Sequence, residues 1–251
     1  MSEEHPTIVP ATGDAAGERV PESRGVDAGR AITWLKQGWA YFLKNPGVWI
    51  GMAVIVLLVS VVLGMIPIFG QLALNLLMPA VMAGLLLGCQ SLRDGGELRF
   101  DHLFGGFKQN TGSLIMVGIY YLVGMVVVMV ATMIIGGGAA LTGAVTGNGI
   151  GAGIAVGGFM LAMLVMLLLM VPLIMAVWFA PALVVFRGTL PIPAMKASFA
   201  ASLKNVIPFL VYGIIVLVLG ILASLPIFLG WLVLLPVLIG ANYTSYLDIF
   251  E

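Results

Sequence analysis

Two stretches of this chain, residues 48–66 and 113–135, contain no charged side chain and are long enough to cross hydrocarbon as helices, a crossing that takes about 20 apolar residues. Such runs cannot be absorbed by a water-soluble core, and the whole composition follows them. Of 251 residues, 61% are hydrophobic and 9% charged, against roughly one quarter charged in an ordinary soluble domain. The apolar solvent for this chain is lipid.

Six spans follow from the same pattern: 48–66, about 71–92, 113–135, about 159–186, 206–224 and 230–247. The first two are joined by the turn PIFG at Pro67 and the last two by PIFLG at Pro226, both too short for anything but a tight reversal. Residues 136–158 hold ten glycines with Ala, Thr and Asn148, a composition that predicts a flexible loop. Pro172 and Pro181 predict a kinked or tilted fourth span. Ahead of the first span, residues 1–29 read as a disordered, solvated tail rich in Glu, Pro, Gly and Ala. The tail lacks the pattern of a cleaved secretory signal, so the first span is expected to serve as its own insertion signal.

Charge sets the expected orientation. Five of the eleven Lys and Arg precede the first span (Arg19, Arg24, Arg30, Lys36, Lys44). Three lie between spans two and three (Arg93, Arg99, Lys108) and three between spans four and five (Arg187, Lys196, Lys204). The remaining loops have none, and the acidic residues and both histidines obey the same partition. By the positive-inside rule these segments and both chain ends are cytoplasmic, and the glycine-rich segment is outside.

Polar flanks suggest an internal repeat. KQGWAYFLKN at 36–45 aligns without gaps on KASFAASLKN at 196–205, and Ile55, Val56 and Leu57 meet Ile215, Val216 and Leu217. A weaker middle copy starts with FGGFKQN at Phe104, and Pro79, Pro172 and Pro236 take comparable places in the second helix of each hairpin. Each unit is an interfacial amphipathic helix followed by a membrane hairpin; the stripes are Ile32, Leu35, Trp39, Phe42 and Leu43, then Phe100, Leu103, Phe104 and Phe107, then Ile192, Met195, Phe199 and Leu203. The expected fold is an all-α polytopic membrane helix bundle. It has six transmembrane helices in two or three repeated hairpins, with repeat units near 30–92, 100–187 and 190–249 inside one membrane domain, 30–251. Small residues are expected to bring helices together at Gly84 with Gly88, Ser60 with Gly64 and Gly220 with Ser224.

Chemistry-bearing patterns are sparse. The spans carry no ionisable group, which argues against a carboxylate-driven proton or sodium transporter. Their neutral polar residues are Asn75, Gln90, Tyr120, Tyr121, Thr132 and the cluster NYTSY at Asn242, expected to serve as interhelical hydrogen bonds and a tyrosine belt near the cytoplasmic surface. Asp101 and His102, with Asp94 and Glu97 upstream, lack a recognised metal-ligand spacing. Cys89 is alone and reads as packing. The string GNGIGA at Gly147 follows no strand and lacks an acidic partner, so it does not read as a nucleotide loop. No catalytic, cofactor-binding or metal residues are assigned, and no cofactor is expected.

At GWAYFLKNPGVWIG, ELRFDHLFGGFKQN and the PIFG turn, the sequence resembles an uncharacterised family of proteobacterial membrane proteins with six predicted spans. More distantly it is similar to YciC-like proteins and to the membrane domain attached to some glycerophosphodiester phosphodiesterases, whose catalytic domain has no counterpart here. The resemblance covers about 31–251 and implies a bacterial inner-membrane location without an activity. Two function classes follow. One is a non-enzymatic envelope accessory or scaffold protein whose cytoplasmic face meets anionic lipid or other membrane proteins; the alternative is a carrier or channel for a neutral small solute or lipid. The bilayer itself is the first partner, and no nucleic-acid partner is expected. A periplasmic-only reporter, such as alkaline phosphatase, fused at Gly149 is expected to be active; activity there of a cytoplasm-only reporter instead would overturn the six-helix reading.

Overall fold

Six helices in the computed structural model are long and apolar enough to cross a membrane. The structure describes residues 20–147 and 149–251, and among them the regular structure is entirely helical. In chain order the elements are α1 (Arg30–Lys44), α2 (Pro46–Gly64) and α3 (Phe69–Arg93), then a 3-10 turn at Phe100–Phe104 that runs into the short α4 (Gly105–Lys108). There follow α5 (Thr111–Thr146), α6 (Gly149–Trp178), α7 (Ala180–Arg187), α8 (Pro191–Lys204), α9 (Val206–Ser224) and α10 (Trp231–Phe250). The membrane candidates are α2, α3, α5, α6 with α7, α9 and α10.

Both tight reversals form, and they force non-glycine residues into the left-handed region: Ile68 at φ 63°, Ile227 at 51° and Phe228 at 61°. Behind each turn a glycine sits where a Cβ would strike backbone, Gly70 at 1.7 Å from the Leu63 carbonyl oxygen and Gly230 at 2.5 Å from the Ala223 Cα.

The glycine-rich stretch is not a loop. α5 continues to Thr146 and α6 already begins at Gly149, so nearly all of the segment expected to be flexible is helix. In water such glycine content favours turns, but lipid offers no partner for a free amide, and the helix keeps each one bonded. The glycines also let α5 and α6 lie against each other: a Cβ at Gly143 would stand 2.5 Å from the Gly151 carbonyl oxygen, and one at Gly158 would stand 1.8 Å from Ala139 Cβ. At 36 residues α5 is about 54 Å long, whereas the 19 residues of α2 make about 29 Å.

At the end of the bundle where the charges collect, α10 is the centre. Its residues Asn242, Tyr243, Thr244, Ser245 and Tyr246 are all buried, so the tyrosines expected to form a surface belt lie inside. α1 crosses α10 at direct backbone contact, because a Cβ on Gly38 would stand 2.2 Å from the Val237 carbonyl oxygen and one on Gly240 2.8 Å from Gly38 Cα. Ala31, Trp34, Leu35, Gly38 and Phe42 form the inward face of α1, while Ile32, Trp39 and Leu43 stay outside. The stripe read from the sequence is therefore divided between the bundle and its surroundings.

Asp248, in the last turn of α10, fastens the same joint. Arg30 grips its carboxylate through two nitrogens and Trp34 Nε1 donates to it at 2.6 Å. Residues 23–26, within the tail expected to be disordered, are tied down here too. Arg24 N donates to the Ile249 carbonyl at 2.9 Å and Val26 N to Asn205 Oδ1 at 2.8 Å, while Asn205 Nδ2 donates back to the Arg24 carbonyl at 3.0 Å. The expectation of a disordered tail for residues 1–19 falls outside the described residues.

The three small-residue pairs turn out unlike one another. A Cβ on Gly84 would stand 2.3 and 2.9 Å from the His102 and Leu103 carbonyl oxygens, and one on Gly88 2.7 Å from Leu98, so both seat the segment after α3. Gly64 faces open space, and Gly220 touches only the Trp231 ring, at 3.4 Å. Ser224 instead accepts from Trp231 Nε1 at 3.0 Å. Alanine at Gly38 or Gly84 is thus expected to cost about 1–3 kcal/mol through overpacking, read as a lower melting temperature in detergent, with Gly64→Ala unchanged. Equal melting of all three variants would overturn this account of the joint.

Candidate functional site

Between the hairpins lies a cavity of about 700 Å³, walled by α2, α3, α5, α6, α7, α9 and α10. That volume is within the range of small-molecule sites, roughly 300–1,000 Å³. Along α2 the lining runs from Trp49 to Ser60, about 16 Å of helix rise.

The two ends of the cavity differ. At the deep end, nearer the charged face, are Trp49, Leu85, Tyr212 and Asn242, with exposures of 1, 6, 6 and 7%. At the other end Leu57, Met78, Ile174 and Leu235 are 51, 40, 45 and 41% exposed. With half-buried Ser60 and Asn75, which lie farther along α2 and α3 from the charged face, these four form an open rim that is mostly apolar.

Beyond the deep end the route to the charged face is blocked by rings. Phe209 lies 5.4 Å from Trp34, 5.8 Å from Phe179 and 6.1 Å from Trp178, centroid to centroid, and Phe179 lies 5.4 Å from Phe250. Trp34 and Phe179 are wholly buried. The cavity is blind on that side.

Three prolines line it, Pro79 in α3, Pro181 at the start of α7 and Pro236 in α10. Proline withholds an amide and crowds the carbonyl four residues earlier, so each wall is interrupted where it meets the cavity. At the α6–α7 break the released groups are taken up by Ser198: the Phe179 amide donates to Ser198 Oγ at 2.9 Å, and Ser198 Oγ donates to the Met175 carbonyl at 2.6 Å. That brace holds the neighbouring Trp178 in place.

The lining is apolar apart from a few neutral polar groups, and it includes no Asp, Glu, Lys, Arg or His. Some of those polar groups are engaged within the protein. Trp49 Nε1 donates to the Tyr41 carbonyl at 3.1 Å and Asn75 Nδ2 to the Gln71 carbonyl at 2.8 Å. Two atoms of lining residues, Trp178 Nε1 and Asn242 Oδ1, are buried within the wall itself, closed to water, and have no hydrogen-bond partner. They belong to touching residues, since Asn242 Nδ2 reaches the Trp178 carbonyl at 3.4 Å. That contact also fixes the amide, because a flipped Asn242 would set two oxygens against each other. The third such atom among the described residues, Tyr246 OH, is outside the cavity.

Of the polar residues singled out in the sequence, Asn75, Tyr121 and Asn242 reach the cavity, whereas Gln90, Tyr120 and Thr132 do not line it. Thr132, Thr244 and Ser245 bond to carbonyls of their own helices. Asp101 pairs with Arg99 at 3.3 Å on the surface, and the Arg99 amide donates to His102 Nδ1 at 3.0 Å, so this cluster closes a turn. No three His, Cys, Asp or Glu side chains converge as metal ligands among the described residues. Trp178 and Ser198 carry no motif; the available signal was a tryptophan well inside a span, away from the interfaces where the residue collects.

Comparison with family models, curated proteins and solved structures yields no match.

A buried acceptor without a donor destabilises by about 1–3 kcal/mol. Asn242→Leu, near in shape, is therefore expected to raise the melting temperature of the empty protein in detergent; a clear fall would mean that the amide is structurally bonded after all.

Proposed function

We propose that this chain is a non-enzymatic multi-pass protein of the bacterial inner membrane that holds a neutral lipid-like molecule in the cavity between its hairpins, as a carrier does. The uncharged, mostly apolar cavity, closed by aromatic rings toward the charged face and open at its other end, carries this reading. A pure scaffold needs no such space, and a channel for a polar solute needs a second opening and a more polar lining. Absence of any charge in the wall favours a neutral occupant, since a desolvated ion would lack a counter-charge.

The charged face is assigned to the cytoplasm on the Lys and Arg distribution. A repeated unit is supported by a recurrent order of parts. α1 ends at Lys44, then Asn45, then the 19 residues of α2; α8 ends at Lys204, then Asn205, then the 19 residues of α9. Asn110 occupies the corresponding junction before α5. In this reading the repeat supplies similar hairpins that leave a cavity between them, and the resemblance to six-span proteobacterial proteins fits the same architecture. Exposed Lys36 beside exposed Ile32 and Trp39 suits contact with anionic lipid on the same face.

Native mass spectrometry of the detergent-purified chain tests the function. A neutral lipid adduct is expected, and Val56→Trp, which fills the cavity wall, is expected to reduce it about tenfold or more, as overpacking of 1–3 kcal/mol against a ligand implies. Equal adducts on both proteins, or none on either, would refute the reading.

A further inference from the structure

We infer that the charged face carries two equivalent sites for the headgroup of an anionic phospholipid, one at Lys36 on α1 and one at Lys196 on α8. This deepens, and rests on, the reading that this face meets anionic lipid, and it is independent of the cavity. The two aligned segments present the same outward stripe, position for position. On α1 it is Ile32, Lys36, Trp39 and Leu43; on α8 it is Ile192, Lys196, Phe199 and Leu203. At 3.6 residues per turn each set falls within a sector of about 60°. Ile32 and Ile192 are both 48% exposed, and Leu43 and Leu203 are 54 and 52% exposed. Both lysines and Trp39 are exposed as well, and Phe199 is half-buried. Each lysine therefore stands in the middle of an apolar stripe that the bundle leaves uncovered.

The level of these stripes follows from the spans they lead into. α2 and α9 have 19 residues each, about 29 Å of helix, which only just crosses hydrocarbon of about 30 Å. Pro46 and Val206 therefore stand at its boundary, and α1 and α8 end immediately before them, across Asn45 and Asn205. A stripe at that level buries its apolar side chains in the acyl edge and sends the lysine stem up to the phosphates. The chain itself offers these ammonium groups no counter-charge. Among the described residues the ion pairs are Arg30 with Asp248, Arg93 with Glu251 and Arg99 with Asp101. The second aligned lysine of each segment is used inside the protein: Lys44 Nζ donates to the Leu92 carbonyl at 2.6 Å and Lys204 Nζ to the Ser23 carbonyl at 2.9 Å. The repeat thus keeps one lysine for the fold and leaves the other for a ligand. In the middle copy the alignment on FGGFKQN puts Asp101 at the place of Lys36, and Asp101 pairs with Arg99 at 3.3 Å, so that copy offers no such site. A zwitterionic headgroup brings its own ammonium to compete for the phosphate, whereas an anionic one leaves its charge to the lysine. The ligand class is a phospholipid of net negative charge, one on each stripe.

The test is a native mass-spectrometric titration of the purified full chain with dioleoylphosphatidylglycerol, which is anionic, and dioleoylphosphatidylcholine, which is zwitterionic with the same chains. Two molecules of phosphatidylglycerol are each expected to bind about fivefold more tightly than phosphatidylcholine, the worth of one lysine at an anionic surface. The preference is expected to shrink as salt is added. Lys36→Gln and Lys196→Gln are each expected to remove one of the two molecules, and the double variant both. Lys44→Gln and Lys204→Gln delete the same charge elsewhere on the same helices and are expected to keep both. Equal losses in these two variants, or a double Lys36→Gln, Lys196→Gln protein that keeps the preference, would overturn the two sites and leave standing the reading that this face meets anionic lipid. Equal binding of the two lipids to the unaltered chain would overturn both. Carbodiimide coupling of Lys36 or Lys196 to a protein carboxylate in phosphatidylglycerol vesicles would give the stripe to an acidic segment and overturn the sites. All four lysines are exposed, so removing their charge leaves the buried core intact.

Discussion

The backbone contact between α1 and α10 is the constraint on which the rest of the bundle depends. Gly38 and Gly240 remove the side chains that would hold these helices apart, and the resulting seam turns a helix that begins outside the membrane into part of the core. Lipid supplies no hydrophobic drive for helix association, so close packing and buried polar bonds must do it. Asp248 adds the polar part, with Arg30 and Trp34 of α1 on its carboxylate and Arg24 on its backbone carbonyl. Arg187 reaches the Phe250 carbonyl, and Arg93 meets Glu251 at 3.2 Å. Two carbonyls that the end of the helix leaves without partners, those of Asp248 and Phe250, are here taken up by arginines from two other segments.

Closing one end so firmly leaves the other end loose, and the cavity belongs to that difference. Near the charged face the aromatic rings and α1 fill the interior. Farther along, α2 and α9 present mostly exposed apolar residues, and among the described residues no amphipathic helix or ion pair draws the hairpins together. Prolines 79, 181 and 236 fall at the transition. The result is a space walled by tight packing below and by separate helices above.

The spans were legible because hydrocarbon demands long uncharged runs, and the turns because Pro67 and Pro226 leave too few residues for anything else. Span ends near 206 and 224 coincide with α9, where charge stops abruptly on one side and a turn begins on the other. The segment 136–158 was misread because glycine carries two opposite meanings. In water it loosens a chain; between two helices in lipid it lets them touch, as Gly143, Gly151 and Gly158 do. The pinning of residues 23–26 left no pattern, since it relies on backbone atoms and on Asn205, 179 positions away from Val26. Of the site, Asn242 stood out as a polar residue in a span. Trp178 did not, because its significance is a missing partner, and only three-dimensional neighbours define what is missing.

One more consequence comes from the unequal lengths of α2 and α5. A helix of about 29 Å matches a hydrocarbon layer of about 30 Å, but one of about 54 Å exceeds it by nearly a second layer. Bilayer thickness cannot fit both in the same protein, so the membrane around it meets two different hydrophobic heights. On the α5–α6 side the mismatch is taken up by tilt, by stretched lipid or by helix emerging from the layer, and the uncharged, glycine-rich tip offers no charged anchor to fix which. The surrounding membrane's thickness thereby becomes a variable that acts on one hairpin and spares the other two.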